Sequence, residues 1–156
     1  MAAQTARMFV RQGKAYLPVM ALTEHGVLLG IEPVYVAPLT LEALVAALEK
    51  VIAAGHPRIP HPTREEWPRL DSPLLRAAKV KSRRAFFQHC VSYDISWTEQ
   101  AVTVYIMQPD HLGRAEYASA KKLSFPKDTP LRMIVEAILE DVRARPELQA
   151  EGNKPR

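Results

Sequence analysis

The side chains that could do covalent chemistry in this sequence begin with His89-Cys90, a thiol beside an imidazole. A cysteine nucleophile needs a histidine base that the fold brings within hydrogen-bond reach. Neighbours on a strand point to opposite faces, so adjacency in sequence does not make these two a working pair. Cys90 reads instead as a buried structural thiol. The five histidines raise the question of a metal. His56 and His61 stand five apart in the run HPRIPHP, a spacing that matches no zinc pattern, and no Cys-x-x-Cys accompanies it. Exposed or capping roles are expected for them, with no metal and no cofactor. There is no Ser-His-Asp order, no nucleophile elbow, and no phosphate-cradling loop among the six glycines. An enzyme is not expected.

What remains is binding chemistry. Glu65-Glu66 stands at a helix start, where carboxylates favour the macrodipole and could meet a basic partner. Glu140-Asp141 falls on the expected solvent face of the last helix and reads as a surface pair. The strongest charge cluster is Arg76, Lys79, Lys81, Arg83 and Arg84, followed by Phe86-Phe87. Cations beside aromatics suit single-stranded nucleic acid, through phosphate contact and base stacking. The same phenylalanines fit the apolar side of a short helix, and no RNP-type motif or recognition helix accompanies them. An acidic protein surface could equally meet the arginines.

The charge distribution points to the same region. The net charge of +4 arises in the middle third: residues 56–90 hold eight basic and three acidic side chains, while 1–55 balance and 91–156 come to −1. At 156 residues the chain is long enough to bury roughly two-thirds of its unfolded surface without a staple. The single cysteine suits a reducing compartment, and the sequence has neither a signal-type apolar run nor 18 consecutive apolar residues. These features predict a cytoplasmic protein with no membrane partner, arranged as one α+β domain over residues 1–146 with a flexible tail at 147–156.

The elements that must position these side chains follow from periodicity. Residues 6–12, 16–23 and 27–37 read as strands, with a tight turn at His25-Gly26. Pro18 argues for an edge or a bulge, and Pro33 for a bulge or a bend. Leu41, Leu44, Val45, Leu48 and Ile52 form one stripe of a helix capped by Thr40 and closed by Gly55. Loops and short helices fill the middle third, starting near Asp71-Ser72 and at Ser82. A second hairpin spans 91–98 and 101–108, with a short edge strand at 115–117. Thr129 caps the last helix, whose stripe is Leu131, Ile134, Val135, Ile138, Leu139 and Val142. This order predicts an antiparallel sheet from two hairpin regions, two long helices packed on it, and short helices between.

The stretch GKAYLPVMALTEHGVLLGIEPVYVAPLTLEALVAAL, with Tyr93-Asp94-Ile95-Ser96-Trp97 and FPKDTPLRMIVEAILE, resembles the CdiI-like immunity proteins of contact-dependent growth inhibition systems. The likeness spans most of residues 7–145. It implies a cytoplasmic inhibitor without catalysis, which binds the toxic C-terminal domain delivered by a neighbouring cell, often a nuclease. Inhibitors of basic nucleases are commonly acidic, and this chain departs from that by its positive charge. Binding residues do not transfer by resemblance, because such interfaces diverge with the toxin. The variable middle third supplies the expected toxin-binding set: Glu65, Glu66, Trp67, Asp71, Arg83 and Arg84. The partner is then a toxin domain and no nucleic acid. The alternative is a small basic nucleic-acid-binding module that uses residues 76–87.

Overall fold

In the computed structural model, which describes residues 4–149, the chain is α+β, as the element order predicts. Strands β1 (Gln4–Arg11), β2 (Lys14–Thr23) and β3 (Leu28–Pro38) form a meander, followed by helix α1 (Leu41–Ala54). The middle third carries a two-residue strand, β4 (Arg58–Ile59), a 3-10 turn (Trp67–Arg69), and short helices α2 (Ser72–Ala78) and α3 (Arg83–Phe87). Then come β5 (Val91–Trp97), β6 (Ala101–Met107), β7 (Lys121–Pro126), α4 (Leu131–Arg143) and the single turn α5 (Pro146–Gln149). The sheet runs β3-β2-β1-β5-β6-β7 with antiparallel neighbours, and β4 pairs in parallel with the far end of β2.

Alternation on β1 divides the core in two. Met8 and Val10 face α1 and α4, where Leu44, Leu48, Ile134 and Ile138 bury against Tyr93, Ile95 and Val104. Phe9 faces the other way and packs with Tyr16, Phe86, Phe87, Leu74 and Cys90 under α2 and α3. The short helices therefore cover the second face of the sheet. Thr40 caps α1 by accepting from the Ala43 N–H at 3.3 Å, as expected. Pro18 lies inside the sheet, and the register slips between Pro18 and Val19, so of edge and bulge it is the bulge that occurs.

The pairing of β1 with β2 ends at Phe9 and Tyr16, ahead of that bulge, and farther along the two strands His56 stands between them. Its Nε2 accepts from the Thr5 N–H at 3.2 Å and its Nδ1 lies 2.8 Å from the Met20 carbonyl, so the ring bridges two backbones. Neither contact is a surface role.

Four expectations need correction. The last strand is Lys121–Pro126, with no strand at 115–117, because Leu123 and Phe125 alternate with Lys122 and Ser124 and pair along β6. The Thr129 hydroxyl donates to the Pro126 carbonyl at 2.7 Å, and Pro130, not Thr129, stands at the N-cap of α4, which has no side-chain cap. Asp141 is no surface residue: its side chain is 7% exposed. At the C-terminus, expected to be a tail from 147, Leu148 is buried and its carbonyl accepts from Gly13 N–H at 2.7 Å. Residues 150–156 of that expected tail lie outside the described residues.

The loop between β6 and β7 is organised by Asp110, whose Oδ1 accepts from the Leu112 and Arg114 N–H groups. It brings Gly113, at φ 81°, against the Phe87 ring; a Cβ there would stand 2.6 Å from a ring carbon. Gly113→Ala is expected to lower stability by about 2 kcal/mol, from the left-handed backbone and the overlap together. Urea unfolding checks this, and a loss below about 0.5 kcal/mol would mean that the loop moves freely off Phe87.

Candidate interaction surface

Arg83 stands at the centre of the middle third. Ser82 starts α3 by accepting from Ala85 N–H, which points the following arginine back towards the 3-10 turn. The Arg83 Nε lies 2.8 Å from Asp71 Oδ2, and its Nη2 reaches the Trp67 carbonyl at 3.3 Å. One guanidinium thus holds the turn, the start of α2 and the start of α3 together. Burial pushes the Asp71 carboxyl up from its ordinary value, and the Arg83 charge opposes that shift.

Trp67 is 40% exposed beside this clamp. Its ring meets His61 edge-on at 5.5 Å, and His61 stacks on His25 at 4.2 Å. His61 is fixed in turn by Thr23 Oγ1, 3.1 Å from its Nδ1. Glu66 reaches back to accept from Thr63 N–H at 2.8 Å, half of a capping box. Of the six expected residues, the structure brings Trp67, Asp71 and Arg83 into one contact group, with Glu65 and Glu66 exposed beside it. Arg84 is exposed on α3, and no bond among the described residues joins its side chain to the group.

The aromatic half of the nucleic-acid alternative is not at the surface. Phe86 and Phe87 are buried, edge-to-face with Phe9 and with each other, so neither can stack on a base. Arg11 is buried beneath them, donating to the Phe86 carbonyl at 3.0 Å with its guanidinium over the Phe86 ring. Cys90 sits in the same cluster, and burial pushes its thiol up to about 12. His89 adopts φ 57° and is exposed, so the two side chains separate. A nucleophilic role for Cys90 does not fit this geometry. Its reaction with an aromatic disulfide reagent is expected to be at least about tenfold slower in the folded protein than in urea; equal rates would refute the buried placement.

Two polar groups escaped sequence reasoning. On the second sheet face Asp94, 2% exposed, accepts from Ser92 Oγ at 2.6 Å and from Arg7 Nε at 2.9 Å. A cavity of about 400 Å³ opens beside it, lined by Thr5, Ser96, Tyr105 and Lys122. The register places Arg7 opposite Asp94, a pairing that the alternation of Arg7 on β1 and Asp94 on β5 carries in sequence. On the first face, Asp141 Oδ2 accepts from Tyr93 Oη and from Arg145 Nε, both at 2.8 Å, and Oδ1 meets Lys121 Nζ at 3.1 Å. Burial alone would raise the Asp141 pKa, but the bonds from Arg145, Tyr93 and Lys121 together outweigh it and hold the carboxyl low. Among the described residues no three His, Cys, Asp or Glu side chains converge as a metal site, and no helix is long and apolar enough to cross a membrane.

No protein-family model and no curated protein matches the chain. Among solved structures it is similar in fold to a protein of unknown function from Neisseria meningitidis. That pair has 15% identity and a TM-score of 0.61, covering 89% of this chain and 92% of that one. It is also similar to a chain of the CdiA-CT/CdiI toxin and immunity complex from Yersinia pseudotuberculosis. Here identity is 14% and the TM-score 0.62, over 93% of this chain and 98% of the other. At such identities the likeness establishes a common fold.

Proposed function

We propose that this chain is a CdiI-like immunity protein, which binds and neutralises the C-terminal toxin domain of a contact-dependent growth inhibition system in the cytoplasm. The observation that carries the reading is the fold shared, over nearly the whole length, with a chain of a toxin and immunity complex. The exclusion of Cys90 from solvent also suits it, since a binding inhibitor needs no nucleophile. Neutralisation then works by occlusion: an interface of about 1,600 Å² in total covers the toxin's active site or the approach of its substrate. Trp67 with the Arg83–Asp71 clamp forms the rigid centre of that interface, and Glu65, Glu66 and Arg84 surround it. An exposed Trp held beside a fixed Arg is what interface hot spots are made of. A nuclease is one toxin class that the fold could serve, provided that it offers an acidic patch to the basic middle third.

The test is protection. A C-terminal toxin domain of a contact-dependent growth inhibition system is expressed with and without this chain; the toxin alone should stop growth, and co-expression of the chain should restore it. Arrest that persists at equal expression of both proteins contradicts the proposal.

A further inference from the structure

The proline-rich connector 56–62 has little backbone to hold it in place. Pro57, Pro60 and Pro62 lack an N–H, and the pairing of β4 with β2 is only two residues long. The Pro57 carbonyl accepts from Leu22 N–H at 2.8 Å, and the His61 N–H reaches Glu24 Oε1 at 3.4 Å. A histidine ring at each end adds to these ties, His56 on β1 and β2 and His61 on the end of β2.

The partners of these rings fix where their protons are. A carbonyl oxygen only accepts, so His56 Nδ1 carries a hydrogen and donates it to Met20. The Thr5 N–H only donates, so His56 Nε2 is a bare acceptor. His61 is fixed through Thr23, which is buried. Thr23 Oγ1 accepts from the His25 and Val27 N–H groups at 3.2 and 3.1 Å, which takes both of its lone pairs. Its one hydrogen is left for His61 Nδ1, 3.1 Å away, and that nitrogen accepts. Both rings are therefore neutral and of opposite tautomer, Nδ1–H in His56 and Nε2–H in His61.

A proton added to either ring lands on the nitrogen that accepts. In His56 it sets a new N–H against the Thr5 N–H. In His61 it sets one against the Thr23 hydroxyl, which can receive it only by releasing one of the turn's two N–H groups. The His25 ring stacks on His61 at 4.2 Å, where two charged imidazoles repel. The charged groups beside His56 are Arg58 on the connector and Arg7 on β1, which is bound to Asp94. Those beside His61 are Glu24 on the turn before β3, and Arg64, Glu65 and Glu66 on the turn that follows the connector. Glu24 and Glu66 are exposed and bonded to backbone N–H groups, so water screens their attraction for a charged His61.

We propose that His56 and His61 form a pH-sensitive clasp: while both rings are neutral they hold the connector on β2, and their protonation releases it. The open form takes up protons that the closed form excludes, so acidification through the histidine range drives opening. The clasp also governs Trp67, whose ring meets His61 edge-on at 5.5 Å and loses that support when His61 leaves Thr23. The clasp stands on this chain alone; its control of toxin binding rests on the immunity reading.

The experiment is nitrogen-15 NMR of the full-length protein between about pH 7.5 and pH 5.5. At the upper pH the ring nitrogens should report the Nδ1–H tautomer for His56 and the Nε2–H tautomer for His61. On acidification, amide exchange at Thr5, Leu22 and Val27, corrected for the intrinsic effect of pH, should accelerate about tenfold or more. Exchange at Tyr93 and Ile95, in the middle of the sheet, should not change. The double variant His56→Gln and His61→Gln keeps polar side chains that do not titrate, and there the acceleration should vanish. An Nδ1–H tautomer at His61 overturns the proposal, as does equal acceleration at Tyr93 and Ile95. Rings that take up protons while Thr5, Leu22 and Val27 stay protected overturn it too, and these readings need no variant to fold. For binding, the toxin domain of the protection assay is titrated at both pH values into wild type and His61→Gln, which cancels the toxin's own titration. The wild type should lose about fivefold more affinity on acidification than the variant. Equal losses contradict control of Trp67 by the clasp. Absence of binding at both pH values removes the immunity reading and leaves the clasp to the exchange data.

Discussion

Asp141→Ala is expected to destabilise the protein by about 3 kcal/mol, the largest stability loss that we anticipate from one side chain. The carboxylate is almost fully covered and serves three donors, from β5, from β7 and from the turn after α4. Its removal leaves the buried Tyr93 hydroxyl without its acceptor and Arg145 without its counter-charge, and an uncompensated buried group costs more than the pair contributed. The pH dependence has a definite sign. The folded carboxyl lies below its ordinary value, so its stabilisation is present above the unfolded pKa and is lost as pH falls through the folded one. Urea unfolding at neutral pH and at about pH 3 should therefore show the mutant losing less on acidification than the wild type. A neutral-pH loss under about 1 kcal/mol would show that water replaces the carboxylate and that the network holds nothing together.

Trp67→Ala is expected to weaken binding of the toxin domain by about 2 to 4 kcal/mol with little change in stability. The ring is exposed enough to contribute little to the core and is held by its edge contact with His61, so in the proposed complex it would serve as an anchor fixed before binding. An anchor that needs no ordering on association gives more affinity for its area than a mobile one. The separation of the two effects is what identifies a binding residue: calorimetric affinity should fall while the urea midpoint stays near wild type. Affinity within about twofold of wild type would place the interface elsewhere.

The architecture was legible because apolar periodicity was strong where the core forms. The α1 and α4 stripes, the β1–β2–β3 meander and the β5–β6 hairpin all came from alternation or 3.6-residue spacing, and these are the elements that bury Leu44, Ile138 and Tyr93. The capping signals at Thr40 and Ser82 were equally local. What escaped was decided by partners distant in sequence. His56 looked like a loop histidine, yet it bridges strands some 36 and 51 residues away. Asp141 looked solvated by its helical position, but its fate is set by Tyr93, 48 residues earlier. The β7 strand was missed for a simpler reason: in six residues it has only Leu123 and Phe125 as alternating apolar positions, beside Lys121 and Lys122, too short a pattern to stand out by periodicity. In the candidate surface, sequence picked out Trp67, Asp71 and Arg83 by residue type. It gave no sign that one guanidinium would join them, because that contact depends on how two short helices meet.

The most direct measurement is a titration of toxin activity. The toxin domain is held at a fixed concentration well above the dissociation constant, and its activity is followed as the chain is added. A binding inhibitor predicts a linear fall that reaches zero at one chain per toxin, with no further change over time. Inactivation that continues at a small fraction of one equivalent would mean that the chain acts catalytically, and undiminished activity at a several-fold excess would mean that it does not act on the toxin at all.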